Sequence, residues 1–226
     1  MDMNTGIINL QKVDQNKKEG HNGSLTIVTG YNMDGCSSFL KAEYENRLKE
    51  NATENIRNKS IVYITPEYII NGKPPETTGK MEYDKSEMKD IADEIDFILS
   101  NSKDNDELGA RTFRKLQSLM RLKVLRKGSV LIWDGVENFL HPEWQVAMAE
   151  LLVKCVKNGM HIKVKTFSPY IVQGIRFFSH RHKIDPVCLL VQRNGNSGES
   201  AHIVTHDLNQ VFAMFAYPLN GIVNIE

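Results

Sequence analysis

The 226-residue chain has no cysteine framework. Cys36, Cys155 and Cys188 are odd in number and far apart, and no Cys/His pair has zinc-site spacing, so neither disulfides nor structural zinc are expected. Charge of one sign is missing too: 28 Lys+Arg balance 28 Asp+Glu. That balance excludes a protein that coats DNA or membrane by charge alone, although a local basic patch stays compatible with it. No apolar run approaches the roughly 18 residues that span a bilayer. The opening stretch MDMNTGIINLQKVDQNKKEG has no signal-peptide apolar core, so a cytoplasmic, membrane-free protein is expected. Internal repeats and strongly low-complexity segments are also absent.

What is present is globular composition, 41% hydrophobic and 25% charged. A chain of this length buries roughly 70% of its unfolded surface and needs no covalent staple. The expected organisation is a single domain over residues 1–226.

Polar residues 14–23 read as a loop or turn. Leu25–Thr29 reads as a strand stopping at Gly30, and Phe39, Leu40, Tyr44 and Leu48 after Ser38 have helical spacing. Ser60–Thr65 is a second strand. Residues 71–85 lack periodicity, and Met88, Ile91, Ile95, Ile98 and Leu99 mark an amphipathic helix capped at Ser86. After a polar break at 101–106, Phe113, Leu116, Leu119, Met120 and Val124 mark another. Residues 66–125 therefore read as a mainly helical, lid-like insertion.

Ser129–Trp133 is a near-continuous apolar run ending in Asp134, as in a buried parallel strand. A helix over Glu143–Lys157 stops at Asn158-Gly159, and His161–Thr166 is the next strand. A helix around Ile171–Phe178 follows. Val187–Gln192 and His202–Thr205 flank a Gly-Asn-Ser-Gly turn, and Asp207 caps a closing helix. This alternation predicts an α/β fold with a sheet parallel at its centre.

Gly30-Tyr31-Asn32-Met33-Asp34-Gly35-Cys36-Ser37-Ser38 lies between a strand and a helix, the context of a phosphate-binding P-loop. In the frame G-x-x-x-x-G-K-S/T, Gly30 and Gly35 match the glycines and Ser37 the hydroxyl, while Cys36 stands at the lysine position. Glycines let backbone N–H groups turn toward phosphate, and a helix N-terminus adds partial positive charge. Gly30, Asn32, Gly35, Cys36, Ser37 and Ser38 are thus candidate nucleotide-binding residues.

Asp134-Gly135-Val136-Glu137-Asn138-Phe139-Leu140-His141-Pro142-Glu143 resembles the Walker B and D-loop region of ABC-type ATPases related to RecF, the SMC proteins and the overcoming-lysogenisation-defect nucleases. Thr166-Phe167-Ser168-Pro169-Tyr170 resembles their switch segment, and Asp207-Leu208-Asn209-Gln210-Val211-Phe212 their closing helix. The resemblance implies a P-loop, ABC-ATPase-like fold with ATP and Mg²⁺ as ligands. It implies Ser37 and Asp134 as metal-holding residues. It also exposes losses: Cys36 for the lysine, Gly135 for the water-polarising glutamate, and Phe167 for the switch histidine. Only a loose signature remains at Glu107-Leu108-Gly109-Ala110, with Gly109 as its glycine. Glu137 matches the second acidic residue and is a weak catalytic candidate.

A degenerate member with weak or absent hydrolysis is therefore expected, acting as a regulatory or structural subunit. Its partner would be a protein, in a homo- or heterodimer through the ABC-type interface, with nucleic acid contacted through a complex in DNA repair or phage defence. An active ATPase with atypical motifs is the rival; it needs a lysine from elsewhere, and Lys41 is the nearest along the chain. A redox-responsive module centred on Cys36 is a third reading. His180-Arg181-His182-Lys183 reads as a solvated basic loop, His141 as a D-loop packing residue, and Trp133 and Trp144 as core or interface aromatics.

Overall fold

The computed structural model describes residues 23–31, 33–53, 60–72, 76–78, 88–101, 107–193 and 199–223. The polar stretch 14–22, Asn32, the Ser86 cap, the break at 102–106 and the turn at 194–198 lie outside the described residues.

The fold is α/β, around one mixed and mostly parallel sheet. Strands β1 (Ser24–Gly30), β2 (Ile61–Ile64), β4 (Val130–Asp134), β5 (His161–Lys165) and β6 (Val187–Arg193) are parallel. Strand β3 (Glu76–Thr78) and strand β7 (Glu199–Ile203) add antiparallel edges, giving the order β3-β2-β4-β5-β1-β6-β7. The helices are α1 (Met33–Thr53), α2 (Pro66–Asn71), α3 (Lys89–Asn101), α4 (Glu107–Arg121), α5 (Pro142–Lys157), α6 (Pro169–His182) and α7 (Asn209–Val223).

Alternation along each strand sorts the side chains between two layers. Leu25, Ile27, Leu131, Trp133, Ile162 and Val164 face a large core completed by α3 to α7. Val28, Val130, Ile132, Leu189 and Val191 face a smaller cluster under α1, with Cys36, Leu40 and Tyr44. Trp133 and Trp144 are both core residues, and Trp144 meets Phe113 edge-on at 5.4 Å. The basic run at 180–183 closes α6, where positive charge complements the helix dipole.

Two differences from the sequence reading have clear causes. Residues 66–125 add a short helix and an edge strand that the sequence does not announce: β3 pairs with β2, and Met88, Ile95, Phe113, Leu116 and Met120 share the core of β4 and α5. Helix α2 begins on Pro66, whose fixed φ suits a first helical position, and stops at left-handed Gly72. Six residues are too few to show a period. Second, α1 begins at Met33, so two residues separate it from Gly30.

Strand β1 runs into α1 on one face, while its neighbour β5 runs into α6 on the other. Connections that diverge between adjacent parallel strands leave a crevice at the strands' carboxyl ends, where α/β proteins place their ligands.

Helix α1 buries a narrow apolar line, Cys36, Leu40 and Tyr44, spaced four residues apart, with Phe39 and Leu48 partly buried beside it. Charge supplements it. Lys163 of central strand β5 is 3% exposed and its Nζ lies 2.6 Å from Glu43 Oε1, which also accepts from Arg47 Nε at 2.8 Å. Burial pushes the Glu43 carboxyl up, but Lys163 and Arg47 outweigh burial and hold its pKa below the ordinary 4.5. A depressed carboxyl pKa contributes stability above the unfolded value, lost as pH falls through the folded one. Lys163→Met should cost about 1.5–3 kcal/mol at neutral pH, because it removes a charge-assisted hydrogen bond and leaves the part-buried Glu43 carboxylate with Arg47 alone. Urea titrations of both proteins should show the gap narrowing below pH 4.5; a gap independent of pH would refute the pairing.

Candidate functional site

At the carboxyl ends of β1, β4 and β5, three polar side chains meet. Lys165 closes β5 on the α1 side of the sheet, in register with Asp134 of β4 and Val28 of β1. Its Nζ lies 2.6 Å from Asp134 Oδ1 and donates to Ser37 Oγ at 2.7 Å. The Lys165 side chain is 7% exposed and that of Asp134 10%. The Phe167 ring flanks the ammonium, with its centroid 5.5 Å away.

An ammonium has three donors and no acceptor, so burial obliges it to find oxygens. A carboxylate and a hydroxyl supply two. Parallel strands buried on both faces are ordinarily apolar throughout; β5 departs from this because Lys163 and Lys165 each meet an oxygen partner.

The turn after β4 is stitched to the turn after β5. Val136 N–H donates to Lys165 O at 3.3 Å, and Phe167 N–H to Glu137 Oε1 at 2.8 Å. Thr166 N–H returns to Val28 O at 3.0 Å, fixing the β5 turn to β1. Ser168 Oγ donates to Gln145 Oε1 and accepts from Tyr170 N–H at 3.1 Å and Ile171 N–H at 3.3 Å, capping α6. Burial pushes the Glu137 carboxyl up; hydrogen bonds from Phe167 and Thr166 and the charge of Lys165 pull the other way without reversing it. Glu137 Oε2 is buried with no hydrogen-bond partner among the described residues.

The structure brings together Ser37 and Asp134, the two residues the sequence assigned to metal. Between them stands Lys165, which the sequence reading left inside an ordinary strand. Its signal was available: in His-Ile-Lys-Val-Lys-Thr, two lysines alternate with apolar residues in a strand flanked by helical segments. Lys41, the nearest lysine along the chain for the rival reading, is exposed on α1.

The remaining candidates are placed differently. Gly30 closes β1, where an added Cβ would lie 2.3 Å from Val191 O and 2.9 Å from Cys36 Sγ. Cys36 points inward and is fully buried. Gly35 is buried inside α1, Ser38 is exposed, and Gly109 is buried in the first turn of α4. Phe167 packs against the α1-side cluster. His141 is exposed at the N-cap of α5 without making a side-chain cap.

Gly135 stands at φ +71°, and an added Cβ would fall 2.2 Å from Asn138 Nδ2. Asn138 N–H in turn donates to Gly135 O at 3.0 Å. A side chain at 135 must both accept left-handed backbone and displace Asn138. Gly135→Ala should therefore destabilise the fold by about 1–2 kcal/mol from backbone strain alone. Adding Asn138→Ala should recover only the steric part, as chemical denaturation of the single and double variants would show. An unchanged midpoint in Gly135→Ala would contradict the turn.

The elevated Glu137 pKa has the opposite sign to that of Glu43. Charging this carboxyl costs stability once pH rises above the ordinary value of 4.5, increasingly up to the folded pKa. Glu137→Gln abolishes that titration. Relative to wild type, its unfolding free energy should climb with pH through this window, by about 1.4 kcal/mol for each unit of pKa elevation, as urea titrations at several pH values would show. A difference flat in pH would show that Glu137 is solvated.

Comparison with protein-family models finds no match, and comparison with curated proteins finds none either.

Proposed function

We propose that this chain is a degenerate P-loop, ABC-ATPase-like domain without useful nucleotide hydrolysis, serving as a regulatory or structural subunit of a larger protein complex. The observation that carries the reading is the placement of Lys165 between Ser37 and Asp134. In the family the motifs resemble, a hydroxyl and a carboxylate so placed would share a Mg²⁺ ion. Here the protein's own ammonium lies between them.

Other features support the same reading. The Gly30 turn and Asp134 stand at the carboxyl edge of the sheet, on strands separated only by β5. The connection from Gly30 to α1 is two residues long, which leaves little backbone to wrap a phosphate. At 135 the left-handed turn disfavours a glutamate, and Glu137 Oε1 is engaged by the Phe167 amide. Losing a general base costs roughly 10²–10⁴ in rate. Losing a preorganised donor to the transition state costs about 10²–10³ more.

A second reading, an active ATPase with atypical motifs, draws on Lys165 as a lysine reaching the site from another strand. The ion pair with Asp134 argues against it, because a lysine neutralising the metal carboxylate is not available for phosphate. A redox role for Cys36 is disfavoured by its complete burial. Partnership with another protein, and nucleic acid through that partner, extend the resemblance to this chain.

Phosphate release from ATP with Mg²⁺ tests the proposal directly. The purified chain should stay at background, with and without Asp134→Ala. Turnover near the roughly 1–100 s⁻¹ of phosphoryl-transfer enzymes, abolished by Asp134→Ala, would overturn it in favour of the active enzyme.

A further inference from the structure

We propose that the Lys165 ammonium is the resident cation of the Ser37–Asp134 position and that it excludes divalent metal from it. The inference rests on the degenerate P-loop reading and gives that site a specific property.

Geometry argues for exclusion. Nζ lies 2.6 Å from a carboxylate oxygen and 2.7 Å from a hydroxyl oxygen, so the space between these oxygens is filled. Mg²⁺ needs near-octahedral oxygen at about 2.0–2.1 Å, and its charge would repel an ammonium at such range. Among the described residues no group of three His, Cys, Asp or Glu side chains gathers here, so a divalent ion could enter only on Asp134, Ser37 and water once the ammonium is gone. Among the described residues, the other carboxylate tied into these turns is Glu137, which has one oxygen on the Phe167 amide.

Anchorage argues that the ammonium stays. Backbone pairing locks Lys165 between β1 and β4. Its side chain is nearly buried against Phe167, so moving the ammonium aside would cost it both oxygen partners and strand the Asp134 carboxylate. An ammonium tethered to the chain also competes at an effective concentration that a free cation rarely matches.

Mn²⁺ serves as the probe, read on the full chain by paramagnetic resonance and by thermal unfolding with Mn²⁺ or with EDTA. Wild type should show no Asp134-dependent Mn²⁺ binding and the same melting temperature in both conditions. Lys165→Ala should melt lower in EDTA, regain much of the loss in Mn²⁺, and bind Mn²⁺ at least about tenfold more tightly than wild type, since a ligand bound only by the folded state raises its stability. Asp134→Asn in that background should abolish the gain. Lys165→Arg, which keeps a cation, should show none. Should Lys165→Ala not fold in EDTA, Lys165→Met is read in the same way.

Asp134-dependent Mn²⁺ binding by wild type overturns the proposal, as does a folded Lys165→Ala or Lys165→Met protein indifferent to Mn²⁺. Hydrolysis of Mg²⁺·ATP by wild type would sink this inference and the functional reading together. No hydrolysis, combined with no metal gain on removing Lys165, would sink this inference alone.

Discussion

A lysine carried inward on a central parallel strand must find oxygen, and the sheet is arranged around that requirement. Lys165 joins three elements that are distant in sequence: the first turns of α1 through Ser37, the end of β4 through Asp134, and β5 itself. Apolar packing could bring these elements close but would not fix which residues meet. An ion pair with a shared hydroxyl does, because a one-residue slip in β5 would turn both lysines into the opposite apolar core. The same logic acts two residues earlier, where Lys163 reaches Glu43.

Most of the scaffold was legible in the sequence because its signals are local. Apolar runs at Leu25–Thr29, Ile61–Ile64 and Val130–Trp133 became parallel strands, and the period at Met88–Leu99 became α3. What escaped was short or non-local. Helix α2 and strand β3 are six and three residues long, and β3 exists because β2 offers it an edge. Helix α1 starts at Met33, ahead of the apolar spacing that begins at Phe39, because its first turn carries Gly35 and polar residues that show no period. Lys165 escaped for a different reason. Period-two lysines ordinarily mark a solvated face, and only the strand order, with β5 between β1 and β4, makes that face internal.

The altered motif positions also read differently once they have neighbours. The Cys36 sulfur fits beneath Gly30, where β1 lies against β6 too closely for a side chain. Gly135 likewise holds left-handed backbone against Asn138, and Glu137 is drawn into the turn that Phe167 completes. Each residue answers a packing demand of the present fold. A substitution at any one of them meets that packing demand first.

This bears on how a catalytic edge can become a structural one. A metal position is a cluster of oxygens whose repulsion must be neutralised, so losing the metal leaves a buried negative charge that destabilises the fold. A lysine from an adjacent strand removes that cost with a charge the chain always carries. Under the reading proposed above, Asp134 and Ser37 would serve the fold whatever becomes of hydrolysis. Recognisable metal-binding residues in a sequence therefore establish that oxygens are gathered. They leave open which cation gathers them, and here the strand between them supplies it.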